Sequence, residues 1–256
     1  MKPPFLNFSS EMTVTSRDTT PIQTAMILAA GLGTRMRPLT DNRPKPLVEV
    51  SGKALIDYNF DRLEAAGVTR VVVNVHYFPD QLEAHLKQRK SPEITISDER
   101  EVLLNSGGGV KKALDALGHA PFFCLNADTI WMDGPTSNLR RMASVFDPET
   151  MDILLLVAPT STTIGWDNKG DFALDPDGQV RWPRPGEVAP FAYCGVAILQ
   201  PHLFVEVPDA FSLVLLFNRA MAEQRLFGVR LDGVFMHVGT PEAVREAEQA
   251  IAWSKR

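Results

Sequence analysis

The chain has 256 residues, 45% hydrophobic and 22% charged, a globular balance that allows one large α/β domain or two small ones. A formal net charge of −5 excludes an obvious nucleic-acid-binding surface, and no apolar run approaches the ~20 residues of a membrane-spanning helix. The first residues lack a basic segment followed by an apolar stretch, so a cytoplasmic protein without a secretory signal is expected.

Residues Met1–Gln23, rich in Ser, Thr and Pro, are expected to form a mobile arm, and residues 24–256 a single domain. Ala25–Ala29 reads as a buried strand. Leu55–Ala66 carries Ile56, Phe60, Leu63 and Ala66 near helical spacing, and Gly67 stops it. Val71–Val75 is β-branched and predicts the second strand. Pro79–Leu86 reads as a helix, Ile94–Ser97 as a strand, Gly109–Leu117 as a helix and Phe122–Asn126 as a buried strand. Asn138–Phe146 follows as a helix and Asp152–Val157 as a strand. Cys124 and Cys194 sit in apolar runs and are expected to be buried thiols. Further on, Asp171–Leu174 and Gln179–Trp182 flank Asp175-Pro176-Asp177-Gly178 and predict a hairpin. Phe191–Leu199 reads as a longer strand, with helices near Leu213–Glu223 and Pro241–Trp253. Alternating strands and helices predict a Rossmann-like, three-layer α/β/α fold with a mostly parallel mixed sheet. The pattern changes near residue 165, dividing the domain into residues 24–160 and 161–256.

The segment Leu28-Ala29-Ala30-Gly31-Leu32-Gly33-Thr34-Arg35-Met36-Arg37-Pro38, with Pro44-Lys45-Pro46-Leu47 after it, is the most informative. A turn poor in side chains follows a strand, and Arg35, Arg37, Arg43 and Lys45 stand out against an acidic background. Such a turn lets a polyphosphate approach the main chain while fixed cations neutralise it. It is neither a dinucleotide fingerprint, since the third glycine position is Met36, nor a P-loop. Ligands in such sheets bind beyond the carboxyl ends of strands, where both this turn and Asn126-Ala127-Asp128 lie.

The residues Met26–Leu55 resemble the signature of sugar-1-phosphate nucleotidyltransferases. Asn105-Ser106-Gly107-Gly108-Gly109, Leu125-Asn126-Ala127-Asp128 and Val238-Gly239-Thr240-Pro241-Glu242 continue the resemblance in the family's order. The glycine triplet followed by Lys112-Ala113-Leu114 is similar to the family's short N-acetylmuramate-1-phosphate uridylyltransferase branch. The resemblance implies transfer of a nucleotidyl group from a nucleoside triphosphate to a sugar 1-phosphate, with release of pyrophosphate. It implies catalytic roles for Arg35 and Lys45, nucleotide contacts from Ala29, Ala30, Gly31, Gly33, Thr34, Asn105, Gly107 and Gly108, and Mg²⁺ on Asp128. Asp171 and Arg184 would meet the sugar phosphate, with Trp182 as a flat surface for the sugar.

One position departs from the family. Most members have D-x-G-T where this chain has His237-Val238-Gly239-Thr240. Imidazole is a poor Mg²⁺ ligand and a better one for Mn²⁺ or a softer divalent metal. Three readings follow: His237 as a metal ligand, His237 as a phosphate contact, or Mg²⁺ held by Asp128, phosphates and water alone. Mannose-1-phosphate guanylyl transfer and phosphocholine cytidylyl transfer remain alternatives, because the triphosphate machinery is shared. A non-catalytic nucleotide-sensing subunit is the alternative of another class.

Overall fold

The computed structural model describes residues 21–166 and 169–254. Most of the expected arm therefore lies outside the described residues. In chain order the elements are β1 (Thr24–Leu28), β2 (Glu49–Val50), β3 (Lys53–Ala54), α1 (Leu55–Ala66), β4 (Arg70–Val75), α2 (Pro79–Leu86), β5 (Glu93–Asp98), α3 (Asn105–Leu117), β6 (Phe122–Asn126) and β7 (Thr129–Asp133). Next come α4 (Asn138–Val145), β8 (Ile153–Pro159), β9 (Ala173–Leu174), β10 (Val180–Arg181), β11 (Phe191–Leu199), α5 (Val214–Ala222), β12 (Leu226–Arg230), β13 (Gly233–His237) and α6 (Pro241–Ser254).

Seven strands form one sheet in the order β12-β8-β11-β6-β1-β4-β5. All neighbours are parallel except β11, which runs antiparallel between β6 and β8. Strand periodicity sorts the side chains cleanly. Ile27, Val73, Leu125 and Leu156 face a core shared with α1, α2 and α4. Met26, Val72, Cys124 and Leu155 face the opposite core, with α3 and α5. Both faces of the sheet are covered, as a parallel sheet requires. A third cluster, built from Met36, Val50, Ile130, Met236 and Val244, seats α6 against the loop after β1. Cys124 and Cys194 are buried and free, as expected. No helix among the described residues is long and apolar enough to cross a membrane.

Three features differ from the sequence reading. β12 was not expected, yet it pairs with β8 and completes the sheet edge. β7 and β13 form an unexpected antiparallel ribbon, with His237 opposite Thr129. Both were hidden because their pairing is non-local. Helix α3 starts at Asn105, four residues before the expected Gly109, so the glycine triplet lies inside it. Each helical glycine costs ~1 kcal/mol against alanine. Tertiary packing overrides that preference: a Cβ at Gly107 would lie 2.4 Å from the Phe211 ring, and one at Gly108 would lie 2.2 Å from the Asp209 carbonyl oxygen. Gly107 and Gly108 also donate their N–H groups to the Phe211 carbonyl, at 2.8 and 3.2 Å.

Gly108→Ala should therefore destabilise the protein by ~1–3 kcal/mol, the usual cost of overpacking, even though helix propensity favours alanine. The urea midpoint reads this directly, and a midpoint equal to or above wild type would contradict the packing argument.

Candidate active site

Parallel pairing places Leu28 beside Asn126, and Ala127 donates its N–H to the Leu28 carbonyl at 3.0 Å. The loops after β1 and β6 therefore leave the sheet side by side. The first loop makes a 3₁₀ turn at Thr34–Met36, capped by Gly33 at a φ of +63°. Gly33 is suited to that left-handed conformation, and a Cβ there would press on Lys45 and Thr40 at 3.0 and 3.1 Å. Thr40 donates its hydroxyl to the Gly33 carbonyl at 2.8 Å, and buried Met36 anchors the turn in the third core cluster. A second 3₁₀ turn, Lys45–Leu47, follows Pro44 and directs Lys45 back toward β6.

There Lys45 Nζ donates to Asp128 Oδ2. Burial alone would raise the Asp128 carboxyl. The Lys45 ammonium outweighs it by charge and hydrogen bond, His237 adds to the effect, and the net value lies below the usual carboxylate range. Ala29, Gly31, Gly33, Thr34, Arg35, Lys45 and Asp128 thus line one cleft of about 220 Å³. That cleft continues in two directions. On one side Leu28, Gly31 and Asn126 are shared with a cleft that also takes Ala30, Asn74, Leu103, Asn105 and Ser106. On the other, Arg35, Asn126 and Asp128 are shared with a cleft walled by Trp166, Asp171, Phe172, Trp182, Tyr193, Phe217 and His237.

The β7–β13 ribbon positions His237. Its N–H donates to the Ile164 carbonyl at 2.9 Å, its Nδ1 lies 3.4 Å from the Gly165 carbonyl, and its ring meets Trp166 edge-on. Burial lowers its pKa first. Asp128 and the Gly165 contact oppose that, Lys45 and Arg35 add to it, and the net shift is downward. His237 is then a neutral imidazole at neutral pH. Asp171 sits on the aromatic side, its Oδ2 accepting the Tyr193 N–H at 2.8 Å. Burial raises its carboxyl despite that bond and the pull of His237. Space for this wall comes from a bulge in β11, where Gly195, at a φ of +70°, packs on Thr129 and Asn126.

Most residues singled out in the sequence converge here, but five do not: Arg37 pairs with Asp41 on the surface, Arg43 lines a separate cleft, and Gly107, Gly108 and Arg184 also lie outside. Gly107 and Gly108 pack inside the protein against residues 209–211 and do not line the clefts. Arg184 is exposed on the turn after β10, its N–H donating to Glu187, and it is absent from all three clefts. Conversely, sequence reasoning passed over Asn74 and Glu99. Ala29 donates its N–H to Asn74 Oδ1 at 2.6 Å, Asn74 Nδ2 donates to Glu99 Oε1 at 2.7 Å, and Leu104 donates its N–H to Glu99 Oε2 at 3.1 Å. A polar Asn inside the β-branched run of β4 was the available signal.

Residues 24–163 match the model of the family described as nucleotidyl transferase. The chain belongs to the nucleotidyl transferase family. Over 233 residues, 89% of this chain and 96% of the relative, it is 50% identical to the N-acetylmuramate alpha-1-phosphate uridylyltransferase of Caulobacter vibrioides. It is 34% identical to the protein of the same name from Neisseria meningitidis, over 90% of this chain and 99% of that one. The mannose-1-phosphate guanylyltransferase catalytic subunit beta of Drosophila melanogaster is 30% identical over 85% of this chain and 60% of its own length. In fold, a UDP-glucose pyrophosphorylase from Acinetobacter baumanii matches with a TM-score of 0.73 at 20% identity, over 91% of this chain and 94% of that one. Another, solved with UDP-glucose, matches with a TM-score of 0.74 at 19% identity, over 92% of this chain and 100% of that one. By family, then, the chain is a nucleotidyltransferase enzyme of Rossmann-like fold.

Replacing Lys45 tests the central ion pair. In wild type the lowered Asp128 pKa contributes stability that is present above the unfolded value near pH ~4 and lost as pH falls through the folded value. In Lys45→Gln the cation that opposed burial is gone, so the Asp128 pKa should rise. That contribution then reverses, and stability relative to wild type should fall as pH increases from ~4 to ~6. Carboxyl-carbon NMR titration of Asp128, with urea unfolding at each pH, checks both statements.

Proposed function

We propose that the chain transfers the uridylyl group of UTP to N-acetylmuramate 1-phosphate, releasing pyrophosphate. The observation that carries this reading is the continuity of the three clefts, with Arg35, Lys45 and Asp128 at the junction. A triphosphate and a sugar phosphate entering from opposite sides would meet there. The name of the 50%-identical relative supports the same pair of substrates.

In this reading the base and ribose lie along Ala30, Asn105 and Ser106, and the triphosphate follows the Gly31–Arg35 turn. The N-acetylated sugar lies among Trp166, Phe172, Trp182 and Tyr193, with Asp171 accepting from its hydroxyl or amide groups. Residues 24–160 thus handle the nucleotide and residues 161–254 much of the sugar. An oxygen of the sugar phosphate attacks the α-phosphorus, the bond to the bridging oxygen breaks, and pyrophosphate leaves with its electron pair. The nucleophile is already an anion, so no general base is needed and catalysis is positioning and charge neutralisation. Arg35 presents a planar fork to the leaving pyrophosphate. Lys45, tethered to Asp128, sits as a compact charge by the α-phosphate.

The donor set at the junction fits a divalent cation of the Mg²⁺ type, which is commonly held by one or two carboxylates plus substrate phosphates. Asp128 would hold it. Among the described residues no group of three or more His, Cys, Asp or Glu side chains stands ready to bind a metal unaided, in keeping with an ion that arrives with the triphosphate. The bound ion would neutralise charge on the phosphates. His237 lies within electrostatic reach of Asp128 and offers a nitrogen donor, which suits Mn²⁺ better than Mg²⁺.

Pyrophosphate release from UTP, GTP and CTP, each with N-acetylmuramate 1-phosphate, mannose 1-phosphate and phosphocholine, tests the assignment. UTP with the muramate should dominate, and Arg35→Ala should lower its kcat/KM about 100- to 1000-fold. A dominant GTP–mannose 1-phosphate pair would overturn the substrate assignment.

A further inference from the structure

UTP and CTP carry the same triphosphate and ribose, so the cationic turn cannot tell them apart. Selection has to reside in the base-side cleft, whose polar side chains are Asn74, Asn105, Ser106 and Asn126. Asn74 is committed at both ends of its amide, to Ala29 and to Glu99. Asn105 opens α3 at a φ of +63°, and its Oδ1 accepts the Ser106 N–H at 2.7 Å. A backbone N–H can only donate, so this bond fixes which way round the amide lies. The oxygen turns to Ser106, and the –NH₂ has no hydrogen-bond partner among the described residues. Ser106 Oγ in turn accepts the Leu213 N–H at 3.0 Å, which leaves its O–H to donate. The two side chains at the start of α3 therefore present donors to the cleft. Leu103, beside them, offers apolar surface for a ring.

We infer that Asn105 is a specificity-determining residue: its amide –NH₂ donates to a ring carbonyl and selects a keto base, uracil, over its amino counterpart cytosine. The inference rests on the reading of these clefts as a nucleoside triphosphate site. Uracil and cytosine have the same outline and differ at ring position 4, a carbonyl in one and an amino group in the other. Facing uracil, the Asn105 amide gains an acceptor. Facing cytosine, two donors meet and both lose water without a partner, which discriminates more strongly than the loss of one hydrogen bond.

The test is the dissociation constants of UTP and CTP, measured by calorimetry with Mg²⁺ present, for wild type, Asn105→Gly and Asn105→Asp. Glycine keeps the left-handed backbone conformation and deletes the amide. Aspartate keeps the size and replaces the donor by an acceptor. Wild type should bind UTP at least about tenfold more tightly than CTP. Asn105→Gly should erase most of that ratio, and Asn105→Asp should bring it to unity or reverse it. An unchanged ratio in both variants overturns the inference, as does a wild type without preference or without measurable binding of either nucleotide. Turnover with N-acetylmuramate 1-phosphate is read separately. No pyrophosphate release alongside an Asn105-dependent UTP preference removes the proposed sugar substrate and leaves the inference standing. Turnover with UTP at an unchanged binding ratio does the reverse.

Discussion

A cation and an anion held largely out of water, Lys45 and Asp128, organise this molecule. Each would be costly to bury alone, and each is made tolerable by the other. The pair bridges the loop after β1 and the loop after β6, so it forms only if those strands are neighbours in register. Parallel pairing of Leu28 with Asn126 meets that demand. The prolines at 44 and 46 bring Lys45 to its partner with little conformational freedom left to lose.

A second buried device does similar work beside the start of α3. Glu99 is 1% exposed and accepts from Asn74 and from the Leu104 N–H, at the very start of α3. Asn74 reaches the other way to Ala29. The ends of β1, β4 and β5 and the first turn of α3 are thereby tied into one unit. A carboxylate just ahead of a helix N-terminus is also favoured by the helix dipole. The glycine at 109 is part of this device, because a Cβ there would lie 2.7 Å from both Asn74 and Glu99. The glycine triplet, which resembles a ligand-binding loop, is in effect three separate close approaches: to Phe211, to Asp209 and to this network.

That distinction marks what the sequence could and could not disclose. Strands made of continuous apolar runs, such as β1, β6 and β8, were legible because burial on both faces dictates composition. The turn after β1 was legible as a tight, cation-bearing turn because glycines, prolines and cations follow one another there in close succession. The packing of the α3 glycines was not legible, because a missing side chain looks the same whether a ligand or a neighbouring ring fills the space. The aromatic wall of Trp166, Phe172, Tyr193 and Phe217 was illegible as a set. Its members are scattered over some fifty residues and meet only because β11 inserts antiparallel beside β6. Likewise β7 and β13 are about a hundred residues apart, and nothing local says that His237 will lie opposite Thr129.

His237 then alters the charge balance of the junction. An aspartate in its place, as in the D-x-G-T pattern, would add a second carboxylate beside Asp128. Two carboxylates would cancel the charges of Lys45 and Arg35, leaving a polyanionic substrate dependent on metal for all net attraction. With a neutral imidazole, the groups Arg35, Lys45 and Asp128 sum to a net positive charge before anything binds. In the proposed reaction one surplus charge is far short of what a triphosphate and a sugar phosphate bring together, so a divalent cation would still be needed. On that reading its coordination would shift from protein ligands toward the phosphates themselves. In the proposed reaction, then, the cations that would gather the substrates are kept, while the protein's own oxygen ligands would come down to the single carboxylate that Lys45 already holds in place.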